Sequence, residues 1–183
     1  HNYQTLIDTL GYFKKLGINA IELMPINEFD GNSSWGYNPA FYFAPDKYYG
    51  SKTDLKRFID ACHQHGIAVI LDMVLNHSSG NHSLAQLYWD AAENRPSAQN
   101  PWYNPQTPEG QYDWGFVDFN HESQYTQAFV DSVNRYWLQT FNVDGYRFDF
   151  TKGFTNRTGS GDAYDAGRVA ILKRMADQIW SID

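Results

Sequence analysis

The chain has 183 residues, enough for one domain with a real core, and a net charge of −7 from 14 Lys and Arg against 21 Asp and Glu. That balance argues against nucleic acid or an anionic membrane surface as a partner. A single cysteine, Cys62, excludes an internal disulfide, and no apolar run is long enough to span a bilayer. Aromatic residues make up 17% of the chain, and many fall in loop-like stretches: Trp35, Tyr37, Tyr48, Tyr49, Trp102, Tyr103 and Trp114. There they either close a core or suit stacking on flat ligand faces such as sugar rings. No signal peptide or lipidation motif is present, and both ends read as cut.

In chain order, residues 4–16 read as a helix, with Leu6, Leu10 and Phe13 on one face and Gly17 as its stop. Ala20 to Met24 is a short strand ending at Pro25. Residues 26–50 form a long loop rich in Gly, Asn, Ser and aromatics. Ser51 caps a second helix with Asp54 three positions on. Its apolar face is Leu55, Phe58, Ile59 and Cys62, and Gly66 closes it. Ala68 to Met73 is an apolar run of the kind found in strands buried on both faces. Residues 75–122 show no strong period and read as an inserted subdomain or functional loop. A third helix runs from about Ser123 to Phe141, with Phe129, Val133, Tyr136 and Trp137 as its face. A strand follows around Gly145 to Phe150. A glycine-rich loop, Gly153 to Gly161, then leads to a last helix with Leu172, Met175, Ala176 and Ile179 on one side.

Alternating helices and strands imply a parallel sheet, either doubly wound or part of a (β/α) barrel. No glycine-rich phosphate fingerprint follows any strand, which weakens the nucleotide-binding version. Either architecture places its site at the C-terminal ends of the strands, and three polar clusters collect there. In Asp144-Gly-Tyr-Arg-Phe-Asp-Phe150, Arg147 and Asp149 are two apart and point to one side of a strand. A guanidinium beside Asp149 holds it ionised, as a nucleophile or electrostatic stabiliser requires; a structural Arg–Asp pair explains the run about as well. Asp72-Met-Val-Leu-Asn-His77 puts a carboxylate, an amide and an imidazole at the next strand end. Ser34-Trp-Gly-Tyr-Asn-Pro39 sets Gly36 between two aromatics, so that the rings of Trp35 and Tyr37 stand over the sheet's mouth. A metal site built from Asp72, His77 and Asp149 is a weaker alternative, because no His-x-His or His-Glu-x-x-His pattern accompanies them.

Together these runs resemble the α-amylase family, glycoside hydrolase family 13, over nearly the whole chain. Gly17 to Pro25 looks like the second barrel strand of that family. Asp72 to His77 matches the block Asp-x-Val-x-Asn-His, and Gly145 to Asp149 matches the nucleophile block Gly-x-Arg-x-Asp. Val117-Asp118-Phe119-Asn120 is similar to a short block late in the family's inserted domain B. The Trp-Gly-Tyr-Asn-Pro match is closer to branching, debranching and bacterial outer-surface members than to animal amylases. The resemblance implies a partial (β/α)8 TIM barrel, about strands two to four. Residues 1–74 and 123–183 would be barrel segments and residues 75–122 a domain B-like insertion.

The resemblance also implies roles. Asp149 is the nucleophile that forms a glycosyl ester, and Arg147 orients it. His77 bonds the sugar at the cleavage site, Tyr37 stacks beneath it, Asp72 supports the same pocket and Trp35 adds a sugar-contacting ring. Lys152 reaches the next sugar on the leaving side. Asn76 and Asp118 occupy ligand positions for a structural Ca²⁺, whose oxygen preference they suit. Gly153 departs from the family's usual His. The acid/base Glu that retaining hydrolysis needs roughly 5 Å from the nucleophile would follow the next strand, so these residues alone are expected to lack turnover. The implied activity is retaining hydrolysis of α-1,4-glucans. The alternatives are a branching or debranching enzyme of the family or a non-catalytic glucan-binding relative. The implied parent is secreted or exposed at a bacterial outer surface, with the remainder of the barrel as the partner of this segment.

Overall fold

A computed structural model describes residues 2–107, 115–157 and 161–182; Trp114 and the middle of the Gly153–Gly161 loop lie outside them. The elements in order are α1 (Tyr3–Ile7), α2 (Leu10–Lys15), β1 (Ala20–Leu23), β2 (Asn27–Phe29), β3 (Pro39–Pro45), α3 (Lys52–Gln64) and β4 (Ala68–Met73). They continue with β5 (His77–Ser79), α4 (Ser83–Gln86), β6 (Trp89–Asp90), β7 (Arg95–Pro96), β8 (Phe116–Asp118), α5 (Gln124–Phe141), β9 (Gly145–Phe148) and α6 (Ala166–Trp180). A three-stranded sheet of order β1-β4-β9 is parallel throughout. It has the helix-connected strands expected of part of a barrel. The elements β5 to β8 all fall between β4 and α5, in the stretch read as an insertion.

Local chemistry explains most element ends. Ser51 and Asp54 form a reciprocal capping box that starts α3. All four residues read as its apolar face, Leu55, Phe58, Ile59 and Cys62, are buried. Gly17 and Gly66 take left-handed φ values of 74° and 68° just past their helices, a conformation that costs glycine no steric penalty. Asn142 plays the same part after α5, with φ 58° and its amide donating to Leu138 O at 2.9 Å.

Four expectations need correcting. The helix read over residues 4–16 is two short helices. The Thr9 amide donates to Leu6 O, three residues back rather than four, while its hydroxyl turns back to Thr5 O, and these bonds tighten and interrupt the α-ladder. The loop read over residues 26–50 contains the antiparallel hairpin β2–β3. Its β3 strand has the aromatic run Phe41-Tyr42-Phe43, with Tyr42 buried and its neighbours exposed; surrounding Gly, Asn and Ser masked that alternation. The last strand ends at Phe148 rather than Phe150, because Phe150 adopts a left-handed φ of 48° that no strand accommodates. On α6, Ile171 and Met175 are buried, while Leu172, Ala176 and Ile179 are only partly covered.

Tyr42 ties the layers together. Its carbonyl accepts from Asn27 Nδ2 at 3.0 Å and from Trp137 Nε1 at 2.8 Å, and its hydroxyl donates to His77 O at 2.7 Å. One residue thereby joins β2, β3, α5 and the start of β5. Trp137 is fully buried in the same core and stacks on Phe141. Replacing Trp137 with Ala in the full-length protein is expected to cost about 3–5 kcal/mol of unfolding free energy, measured by urea denaturation. A loss below about 1 kcal/mol would show that Trp137 does not carry the core.

Candidate active site at the C-terminal edge of the parallel sheet

Strand register creates the site. Asp72 on β4 lies directly beside Arg147 on β9, so two charged side chains emerge next to each other at the sheet's C-terminal edge. Asp149 follows one residue beyond β9, fixed to the sheet by its amide donating to Met73 O at 3.0 Å. The guanidinium then meets both carboxylates through a single nitrogen. Arg147 Nη1 lies 2.8 Å from Asp72 Oδ1 and 2.7 Å from Asp149 Oδ1. The two acids differ in access, since the Asp72 side chain is 3% exposed and that of Asp149 is 21% exposed. Asp149 can meet a ligand and Asp72 cannot do so without rearrangement. The bond to Asp72, reinforced by that to Asp149, pushes the Arg147 pKa above its already high ordinary value.

The loop before β3 completes the network. Tyr37 donates its hydroxyl to Asp72 Oδ2 at 2.7 Å, so Asp72 is held on both oxygens. Gly36 allows this approach. Its φ is 91°, and a Cβ there would lie 2.2 Å from the carbonyl oxygen of Pro25, at the end of β1. Only glycine lets the loop pass this close while holding that backbone angle. Burial, followed by the bond to Asp72, pushes the Tyr37 phenol up to about 12 from an ordinary 10.0.

His77 braces the same loop. It is buried, and its Nε2 sits 2.9 Å from Tyr37 O, which can only accept; Nε2 is therefore the protonated nitrogen. Its Nδ1 faces Asn76 Nδ2 at 3.3 Å. The imidazole in this arrangement holds Tyr37 through its backbone carbonyl. Burial lowers its pKa, against the bond to Tyr37 O and the nearby Asp149 carboxylate, which raise it. Phe116 stacks on the ring at 4.6 Å with planes 4° apart. The residue pattern gave no reason to single out Phe116, although it stands just ahead of the Val117–Asn120 block.

Two expected contributors lie outside the cluster. Trp35 is 79% exposed. Lys152 sits in the 3₁₀ turn Thr151–Gly153, where its Nζ bonds Asp162 at 3.2 Å and lies over the Phe150 ring. Both oxygens of Asp72 are bonded, to Arg147 and to Tyr37, and among the described residues no group of three or more His, Cys, Asp and Glu side chains is gathered closely enough to hold a metal ion.

Asn76 and Asp118, the expected calcium ligands, are both buried and lie beside each other where β5 pairs with β8. Asp118 Oδ2 accepts from Asn104 Nδ2 and Asn156 Nδ2, each at 2.7 Å. The set therefore contains only hard oxygen donors once the amides turn their oxygens inward, which fits Ca²⁺ in kind, with a single formal charge. Gly153 packs so tightly here that a Cβ would fall 2.2 Å from Asn76 Oδ1. The departure from His at this position is thus matched by a backbone lying directly on the amide.

Two outcomes follow from these environments. Spectrophotometric titration of the full-length protein, taken as the difference from Tyr37→Phe, is expected to show one phenol ionising near 12. Gly36→Ala should move it back toward 10; a phenol titrating near 10 in the wild type would mean that Tyr37 does not bond Asp72. Burial lowers His82 and His121 to about 4 from the ordinary 6.5. Both folded values lie below the unfolded one, so the stability these groups contribute is present above pH 6.5 and is lost as pH falls toward 4. NMR titration should find both rings neutral at a pH of about 5.5. Protonation there, with the fold intact, would contradict this placement.

Comparison with known proteins agrees with this geometry. Residues 2–115 match the family model for the alpha amylase catalytic domain. The chain is 32% identical to the 1,4-alpha-glucan branching enzyme GlgB of Aliivibrio fischeri over 98% of its own length and 26% of that protein. It is 40% identical to the GlgB of Oceanobacillus iheyensis over 75% of its length and 21% of the relative. It superimposes on Eubacterium rectale Amy13B with a TM-score of 0.82 and 25% identity, covering 98% of this chain and 38% of that one. The chain thus spans about a quarter of the curated relatives it matches. On this evidence, a parallel sheet with its charged cluster at the C-terminal edge included, the chain belongs to the alpha-amylase family and carries part of its catalytic barrel.

Proposed function

We propose that this chain carries the nucleophile half of a retaining α-glucan-active site, with Asp149 as nucleophile. The observation that carries the reading is the shared Arg147 nitrogen. It holds a solvent-accessible carboxylate at a strand end, oriented and charge-compensated, beside a second carboxylate that is fully engaged. In the proposed step an Asp149 oxygen attacks the anomeric carbon and forms a C–O ester bond. The glycosidic C–O bond breaks, and the leaving oxygen takes a proton from an acid carboxyl. A hydroxyl then attacks the anomeric carbon from the opposite face, breaks its bond to the Asp149 oxygen and gives its proton to that same carboxyl, which frees Asp149 and retains configuration.

Asp72 is too enclosed to be the acid, since Arg147 and Tyr37 already bond it. The resemblance places that acid after the next barrel strand. Asp72 and Tyr37 instead form the floor against which a sugar would rest, with Tyr37 as its stacking ring and His77 keeping that ring in position. Lys152 would reach a leaving-side sugar only by exchanging its bond to Asp162.

The second hydroxyl is either water or another glucan chain. The likeness to 1,4-alpha-glucan branching enzymes, at 32% to 40% identity, favours the glucan, so transfer is proposed ahead of hydrolysis. That likeness lends no support to a secreted parent, and that expectation is not carried into the proposal. Calcium, if bound, would be held by Asp118 and Asn76 with help from Asn104 and Asn156. Its part would be to pin the β5–β8 pair to the turn after β9.

In the full-length protein, Asp149→Asn is expected to lower product formation from linear amylose at least about a thousandfold. Wild-type products should gain branch points, counted after debranching. Linear short products would make the enzyme a hydrolase, and unchanged turnover in Asp149→Asn would overturn the assignment. Added Ca²⁺ is expected to raise the melting temperature of the wild type and leave that of Asp118→Asn unmoved. An equal rise in both would remove calcium from this site.

A further inference from the structure

Between the β6–β7 hairpin and the β5–β8 pair lies a cavity of about 840 Å³ that the reaction described above does not use. Its size falls in the ~300–1,000 Å³ range of small-molecule sites. We propose that it is a further subsite for a neutral oligosaccharide chain, with the Trp89 indole as its stacking surface. The proposal rests on the glucan reading above and extends it to Trp89 and Arg95, which no motif marked.

The construction of the cavity points to the ligand. Trp89 is half-buried, and the edge of its ring packs over Gly80. A Cβ at Gly80 would lie 3.2 Å from Trp89 Cη2 and 3.8 Å from Cζ3, so a larger residue there would press the ring outward. Asp30 is oriented in advance, because its Oδ2 accepts from Ser79 Oγ and Asn81 Nδ2, each at 2.7 Å. Arg95, opposite Asp90 in the hairpin, adds a planar guanidinium that also pairs with Glu93 Oε2 at 3.4 Å, and Asn104 and Asp118 also line the cavity. The lining carries both signs of charge, with Arg95 already paired to Glu93 and Asp30 held by two donors, so neither sign is strongly selected. An apolar ligand would strip water from both without replacing their hydrogen bonds. A sugar ring satisfies all three surfaces, since it has an apolar face for the indole and hydroxyls that both donate and accept.

The cavity and the candidate active site share a supporting contact. Phe116 lines it and stacks on His77, which holds Tyr37. Asp30 lies on the loop that carries Tyr37, and its carbonyl accepts from Asn38 Nδ2 at 2.9 Å.

The test is calorimetric titration of the full-length protein with maltoheptaose and with maltose, in an Asp149→Asn background so that ligand is not consumed. Trp89→Ala is expected to weaken maltoheptaose binding about tenfold and leave maltose binding unchanged, with Trp89→Phe restoring most of the loss. If Trp89→Ala does not fold, Arg95→Ala should show the same selective weakening. Unchanged maltoheptaose affinity, or equal weakening of both ligands, would overturn the subsite. Should the wild type yield no glucan product while Trp89-dependent binding persists, the reaction assignment falls and the subsite stands. Catalysis with no Trp89 dependence would mean the reverse.

Discussion

Arg147 is the constraint on which the rest of the site depends. Register in a parallel sheet brings Asp72 and the segment leading to Asp149 side by side, and two carboxylates that close repel each other unless a cation intervenes. One guanidinium nitrogen supplies it for both. Arginine suits the position better than lysine, because its charge is permanent and its donors are fixed in a plane. With Arg147 in place, Asp72 becomes an anchor. Tyr37 hangs from its second oxygen, His77 braces Tyr37 through the backbone, and Phe116 backs His77. Asp149, the more exposed acid, is left with one oriented oxygen and access to solvent.

The scaffold keeps this geometry from drifting by making each loop answer to two elements. Tyr42 accepts from β2 and from α5 while its hydroxyl pins the start of β5. His121 lies flat on Phe154 at 3.8 Å and bonds Leu75 O at 2.7 Å, coupling the end of the inserted stretch to the turn that follows the nucleophile strand. Both are buried polar groups with satisfied partners, the arrangement that specifies a unique core. One strained residue also adjoins the site: Phe150, next to Asp149, holds a left-handed φ of 48°.

Much of this was legible in the residues, and the reasons differ by level. The alternation of helix and strand, the capping box at Ser51 and Asp54, and the face Leu55, Phe58, Ile59 and Cys62 are local signals that tertiary contacts did not override. The pairing of Arg147 with Asp149 follows from strand alternation alone. Its extension to Asp72 needed the register between β4 and β9, which no single stretch encodes. The β3 strand was hidden because its alternation sits among turn-forming residues. The roles of His77 and Lys152 were carried over from a resemblance, whereas hydrogen-bond geometry depends on which neighbour is nearest: Tyr37 O for the one and Asp162 for the other. Trp89 and Phe116 belong to no motif, and only the folding of the inserted stretch brings them toward the cluster.

The central claim is that Asp149, and not the neighbouring Asp72, is the carboxylate that bonds carbon. The direct measurement is mass spectrometry of the full-length protein after reaction with a fluorinated glucosyl fluoride, which slows ester hydrolysis enough to trap the intermediate. The account predicts a glycosyl mass on the peptide containing Asp149 and none on that containing Asp72. A label on Asp72, or on any carboxylate outside the Arg147 pair, would contradict it.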